Sequence, residues 1–129
     1  MAGALPPIDH GARLTALLER VADDRIETLL VTDLVDVRWL TGFTGSNAWA
    51  VVRAGELTLG TDGRYLERAR QETSGSGATV VAEQLAPDLH RRLLDACAGS
   101  VSVTVDPASF SHARALELAA DLPIALAAS

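Results

Sequence analysis

The chain has 129 residues and a formal net charge of −6, with 48% hydrophobic and 22% charged residues, the proportions of one ordinary globular domain rather than a disordered chain. All 11 basic residues are Arg and none is Lys, which excludes Schiff-base chemistry on a side-chain amine. An acidic chain whose longest basic run is Arg91-Arg92 also argues against nucleic acid as a partner.

Residues 1–10 (MAGALPPIDH) read as a loose lead-in, because Pro6-Pro7 blocks regular structure. Leu14, Leu17, Leu18 and Val21 then recur at i, i+3, i+4 and i+7, the apolar stripe of a helix that ends near Asp23-Asp24. Residues 28–32 (TLLVT) read as a central strand, and residues 33–40 as one or two helical turns before the breaks at Gly42 and Gly45. Residues 48–52 and 56–61 form a hairpin about a tight Ala54-Gly55 turn. Residues 64–72 read as a helix, with Arg68 and Glu72 spaced for an exposed pair. Residues 74–77 (SGSG) look like a flexible connector. Next come a strand at 79–82, a helix opened by Pro87-Asp88, a strand at 101–105, a helix capped by Ser111, and a last strand within 122–127.

Such an order gives an α/β fold in one domain over residues 1–129. The hairpin is antiparallel. The strand–helix–strand units place 28–32, 79–82 and 102–105 in parallel in the interior, with helices on both faces. With only 4% aromatic residues, the core is built from Ala, Val and Leu, and a second packing partner would add to it. No apolar run approaches the roughly 20 residues of a membrane helix, and no signal-peptide pattern is visible. The lone Cys97 allows no internal disulfide and is expected as a buried thiol in a reducing, cytoplasmic setting.

No motif assembles a catalytic centre. His10, His90 and His112 are far apart, and Asp88 in Asp88-x-His90 reads as a helix cap rather than a metal ligand. Ser46 in Thr44-Gly45-Ser46-Asn47 is not a nucleophile elbow, and neither Gly42-x-x-Gly45 nor Gly60-x-x-Gly63 completes a phosphate-binding pattern. The catalytic and metal residues expected of this chain are therefore none. Thr61-Asp62-Gly63-Arg64-Tyr65 is more informative: Asp62 caps the next helix, and Arg64 either pairs with a carboxylate at the strand ends or holds one that belongs to a ligand.

Residues 37–47 (VRWLTGFTGSN), followed after the hairpin by Thr61-Asp62-Gly63-Arg64-Tyr65, resemble the N-terminal domain of the creatinase/prolidase family, within it the Xaa-Pro aminopeptidases and dipeptidases. Trp39 stands where that family often has Tyr. The resemblance spans nearly the whole chain and implies a ribonuclease-H-like mixed sheet. It also implies a C-terminal catalytic domain, absent here, in which two divalent metal ions hydrolyse the bond before proline. The sequence stops near Ser129, where the connection to that domain would begin, as expected for the N-terminal domain alone or for a short homologue. In the family this domain supports homo-oligomers and narrows access to short proline-containing peptides. On that basis the substrate-gating residues are Phe43, Thr44, Ser46, Asn47 and Arg64, while Thr41 and Gly42 are structural. For the Phe43 loop two readings stand open: an aromatic, hydroxyl and amide lining of a peptide cleft, or a buried ring beneath a turn. A free-standing small-molecule-binding or dimerisation module with the same fold is the alternative function.

Overall fold

The computed structural model describes residues 8–108 and 110–127, and of His112 the backbone alone. The lead-in expected over residues 1–10 therefore lies mostly outside the described residues.

The elements follow the order α1 (His10–Asp23), β1 (Thr28–Val31), α2 (Leu34–Thr41), β2 (Ala48–Arg53), β3 (Glu56–Asp62), a 3-10 turn (Gly63–Tyr65), α3 (Leu66–Glu72), a second 3-10 turn (Ser74–Ser76), β4 (Thr79–Glu83), α4 (Ala86–Ala96), β5 (Val103–Val105), α5 (His112–Ala119) and β6 (Ile124–Leu126). One sheet contains all six strands in the order β4-β3-β2-β1-β5-β6. Only β2 runs against the others: it pairs antiparallel with β1 and β3, and every other pairing is parallel. This is the mixed sheet expected from the sequence.

Alternation along the strands builds two cores. On β2, Ala48, Ala50 and Val52 face Val37 and Leu40 of α2 and Ala69 of α3, while Trp49 and Val51 face Leu89 and Leu93 of α4 and Leu118 of α5. Both faces are thus covered, and β2 reads as an unbroken apolar run for that reason. With so few aromatics, small residues decide how the large ones fit. Gly60 stands opposite Trp49 across the β2–β3 ladder, and a Cβ there would lie 2.1 Å from the indole.

The caps explain where the helices begin. Asp9 accepts from the Ala12 amide at α1, Asp33 from Val35 and Asp36 at α2, and Ser111 from Arg114 at α5. The hairpin turns through Ala54 and Gly55, both at positive φ (52° and 78°), the twist that suits a two-residue connection.

Three expectations need correction. Residues 79–82 are parallel to β3 but form the sheet edge, not the interior. The inner side of β3 is already taken by β2, so the crossover through α3 can only return on the outside. Residues 74–77 are not a flexible connector. Ser76 is 3% exposed and its hydroxyl donates to the Thr73 carbonyl at 2.7 Å, so the segment is a packed turn. Asp88 is not the cap of α4: Leu85 takes that position without a side-chain bond, and Asp88 falls in the first helical turn, where its charge complements the helix dipole.

Candidate functional site

The sheet gathers the candidates at one edge. β1, β3, β4 and β5 all end there, and β2 begins there. The loop 42–47 enters this edge from α2, and the turn 62–65 leaves it from β3. The register fixes their proximity, because Ala48 pairs with Thr61 and the Thr61 hydroxyl donates to the Asn47 carbonyl at 2.6 Å.

The loop is anchored at both ends. Thr41 is fully buried, donates its hydroxyl to the Val37 carbonyl at 2.7 Å and accepts from the Phe43 amide at 3.1 Å. Gly42 takes φ +87°, and a Cβ there would fall 2.6 Å from the Glu72 carbonyl oxygen, so only glycine fits the turn. Both residues are structural, as expected.

Of the five residues read as substrate-gating, four reach the surface. Phe43 does not: it is 1% exposed, and its ring meets Tyr65 edge-on at 6.0 Å and 70°. Gly45 packs on that ring so closely that a Cβ would lie 2.1 Å from Cζ. The buried reading of Phe43 is the one observed. Thr44 is exposed, and its amide and hydroxyl both meet the Glu72 carboxylate at 2.9–3.0 Å. Ser46 Oγ lies 3.2 Å from the Tyr65 hydroxyl. Asn47, also exposed, lines a groove of about 420 Å3 with Ser46, Asp33, Ser111 and Arg114. Arg64 donates from Nε and Nη2 to Asp62 at 3.1 and 3.2 Å and stands 5.3 Å over the Tyr65 ring.

Tyr65 is the hub that the list of candidates lacked. It meets Phe43 edge-on and Ser46 through its hydroxyl, and carries Arg64 on its ring and Arg68 at 5.6 Å. Its signal was its place directly after Asp62-Gly63-Arg64. Arg68 links the two halves, pairing with Glu72 at 3.4 Å and donating to the Thr44 hydroxyl. Arg114 carried no sequence signal beyond its place after the Ser111 cap.

The electrostatics follow from these contacts. Burial pushes the Glu72 carboxyl up, but the Thr44 hydrogen bonds and the Arg68 charge together outweigh it and hold the carboxyl below its ordinary value. The Arg64 backbone amide, its guanidinium and its charge hold Asp62 low in the same sense. Both acids are thereby kept as anions, fixed partners for arginines rather than proton carriers.

The histidines do not converge. His90 Nε2 lies 3.2 Å from Asp121, not beside Asp88, and His10 Nδ1 lies 3.2 Å from the Trp39 carbonyl. The His112 side chain lies outside the described residues. Among the described residues, no group of three or more His, Cys, Asp or Glu comes together that could hold a metal ion, and no helix is long and apolar enough to cross a membrane.

Comparison with known proteins agrees with this architecture. The chain is 33% identical over 103 residues to a Phaeosphaeria nodorum protein named probable Xaa-Pro aminopeptidase P, a match covering 78% of this chain and 16% of that relative. It thus spans about one-sixth of that relative's length. The fold is similar to the N-terminal domain of the cytoplasmic peptidase PepQ from Mycobacterium tuberculosis H37Rv, with a TM-score of 0.75 and 26% identity over 92% of this chain and 93% of that one. It is equally similar to an Xaa-Pro aminopeptidase structure from Streptococcus pyogenes, with a TM-score of 0.76 and 27% identity over 94% and 92% of the two chains. Residues 13–128 match the Creatinase/Prolidase N-terminal domain, and the chain belongs to that family.

Proposed function

We propose that this chain is the non-catalytic N-terminal domain of a proline-specific metallopeptidase, and that it serves assembly and substrate access. The observation that carries the reading is the rigid rim formed by Thr44, Ser46, Asn47 and Arg64. Each of these is anchored from beneath or beside, by Glu72, Tyr65, Thr61 and Asp62 respectively. A rim of hydroxyl, amide and guanidinium groups carried on an anchored backbone suits the contact of a short peptide at the mouth of a neighbouring catalytic centre. Phe43 enters as the ring that holds the rim at its height. The two divalent metal ions belong, on this reading, to a C-terminal catalytic domain that is not part of this chain. A cytoplasmic location is part of the same proposal.

The assembly role is supported by an apolar surface on α2 and the segment before α1. Ile8, Val35 and Trp39 are 61%, 76% and 50% exposed and share one shallow groove. Large side chains left in water together mark a contact surface. A second copy of the chain fits the family's homo-oligomeric habit.

Kinetics of the longer enzyme test the gating role. Asn47→Ala and Arg64→Ala should lower kcat/KM for short Xaa-Pro peptides by about tenfold, with metal content and thermal stability unchanged. Normal kinetics in both variants would remove the gating role and leave assembly alone.

A further inference from the structure

β1 and β5 are parallel neighbours, with Thr28 opposite Val103 and Leu29 opposite Thr104. After β1 the chain turns into α2, whose Val37 and Leu40 pack on one face of the sheet. After β5 it turns into α5, whose Leu118 packs on the opposite face. Two adjacent parallel strands whose following helices leave to opposite faces part their loops and open a crevice. In open α/β sheets ligands bind at that crevice, outside the carboxyl ends of the strands.

Here the crevice is a cavity of about 210 Å3 between α1, α2, β1 and the β5–α5 loop. Its walls are apolar, formed by Leu29 and Val31 from β1, Trp39 from α2 and Phe110 from the loop. Two carboxylates also line it, Asp36 on α2 and Asp106 just past β5, and among the described residues none that lines it is a cation. Among the described residues neither acid joins an ion pair. Within that same set Asp106 accepts only the Ala108 amide, at 2.9 Å. This cavity is separate from the rim of Thr44, Ser46 and Arg64, none of which lines it.

Apolar walls of this size take a group about as large as one side chain, and carboxylates at two sides select positive charge. Arg13 already stands 4.7 Å over the Trp39 ring, so Trp39 serves the crevice as an apolar wall. We propose that the crevice binds a small amphipathic cation, a primary amine carried on a short apolar or aromatic body. The ammonium lies between Asp36 and Asp106, and the body lies against Leu29, Val31 and Phe110. This assigns the domain a small-molecule site of its own, independent of its role in peptide access.

The two tryptophans provide the measurement. Trp39 lines the cavity, whereas Trp49 is buried in the core on the other face. Phenethylamine, 2-phenylethanol and phenylacetate are titrated into the 129-residue protein while the two indole N–H resonances and the amides of Leu29 and Val31 are followed by NMR. Phenethylamine should give saturable shifts at Trp39, Leu29 and Val31 and none at Trp49, binding about tenfold tighter than the alcohol. The Asp36→Asn, Asp106→Asn double variant should bind amine and alcohol alike. The carboxamide introduced by Asp106→Asn keeps an oxygen that can accept from the Ala108 amide, and an unmoved Trp49 resonance reports that the fold is intact. Equal affinity for all three probes in the wild-type protein would reduce the crevice to an unselective apolar cavity. Undiminished amine preference in the double variant would place the cation elsewhere. No saturable shift with phenethylamine would remove the site.

Discussion

Thr44 grips Glu72 through two groups at once: its amide and its hydroxyl both lie 3.0 Å from Oε1. That pair ties the 42–47 loop to the last turn of α3 across 28 residues of sequence. Since the bonds favour the anion, the folded carboxyl titrates below the ordinary glutamate value of 4.5. A lowered folded value means stability that is present above pH 4.5 and is lost as pH falls through the folded value. Glu72→Gln should therefore cost about 1 kcal/mol near neutral pH, and the gap in Tm to the wild-type protein should close as pH falls below 4.5 through the folded value. A gap that stays constant across this range would mean that Glu72 acts by packing alone.

Gly42 and Gly55 share positive φ, +87° and +78°, but differ in their surroundings. A methyl group at Gly55 meets nothing within 4 Å, whereas at Gly42 it meets the Glu72 carbonyl at 2.6 Å. Gly55→Ala should cost about 1 kcal/mol, the backbone term alone. Gly42→Ala should cost at least about 1 kcal/mol more, because backbone must move. Urea denaturation of the two variants measures the difference, and equal losses would show that the close approach to α3 carries no weight.

Cys97 is 2% exposed at the end of α4, and burial pushes its thiol up to about 11, with Arg53 pulling weakly the other way. At about pH 8 roughly one molecule in a thousand carries the reactive thiolate. Labelling by a disulfide reagent should then track global unfolding, slow in buffer and fast in urea. Rapid stoichiometric labelling of the folded protein would overturn the assignment of an inert core thiol.

The exposed Val35 shares the apolar surface with Ile8 and Trp39. The concentrated wild-type protein should self-associate in sedimentation, and Val35→Glu should abolish this without loss of secondary structure. A wild-type protein that stays monomeric at high concentration would remove the assembly role from this surface.

Much of the architecture was legible because both faces of the sheet are covered. Continuous apolar runs such as residues 28–31 and 48–52 mark central strands, and the Leu14-Leu17-Leu18-Val21 stripe marks a helix packed on one side. Pairing order was less legible. Nothing in residues 79–83 states that β2 already fills the inner side of β3, so the edge position of β4 emerged only from the sheet. The site divides in the same way. Asp62 declared its capping role by its place between a strand and a helix, whereas the burial of Phe43 depends on Gly45 and Tyr65 closing over its ring. The Ser74-Gly75-Ser76-Gly77 composition suggested freedom, yet one buried hydroxyl bonded to Thr73 fixes the turn.

On the proposed reading, this chain supports a proline-specific peptidase without performing its chemistry. The direct measurement is titration of the pure 129-residue protein with manganese and cobalt, alongside an assay for release of the residue before proline from short Xaa-Pro peptides. With no cluster of three ligating side chains among the described residues, no stoichiometric binding of divalent ions and no turnover are expected. Binding of two metal ions per chain together with hydrolysis of the Xaa-Pro bond would contradict this reading.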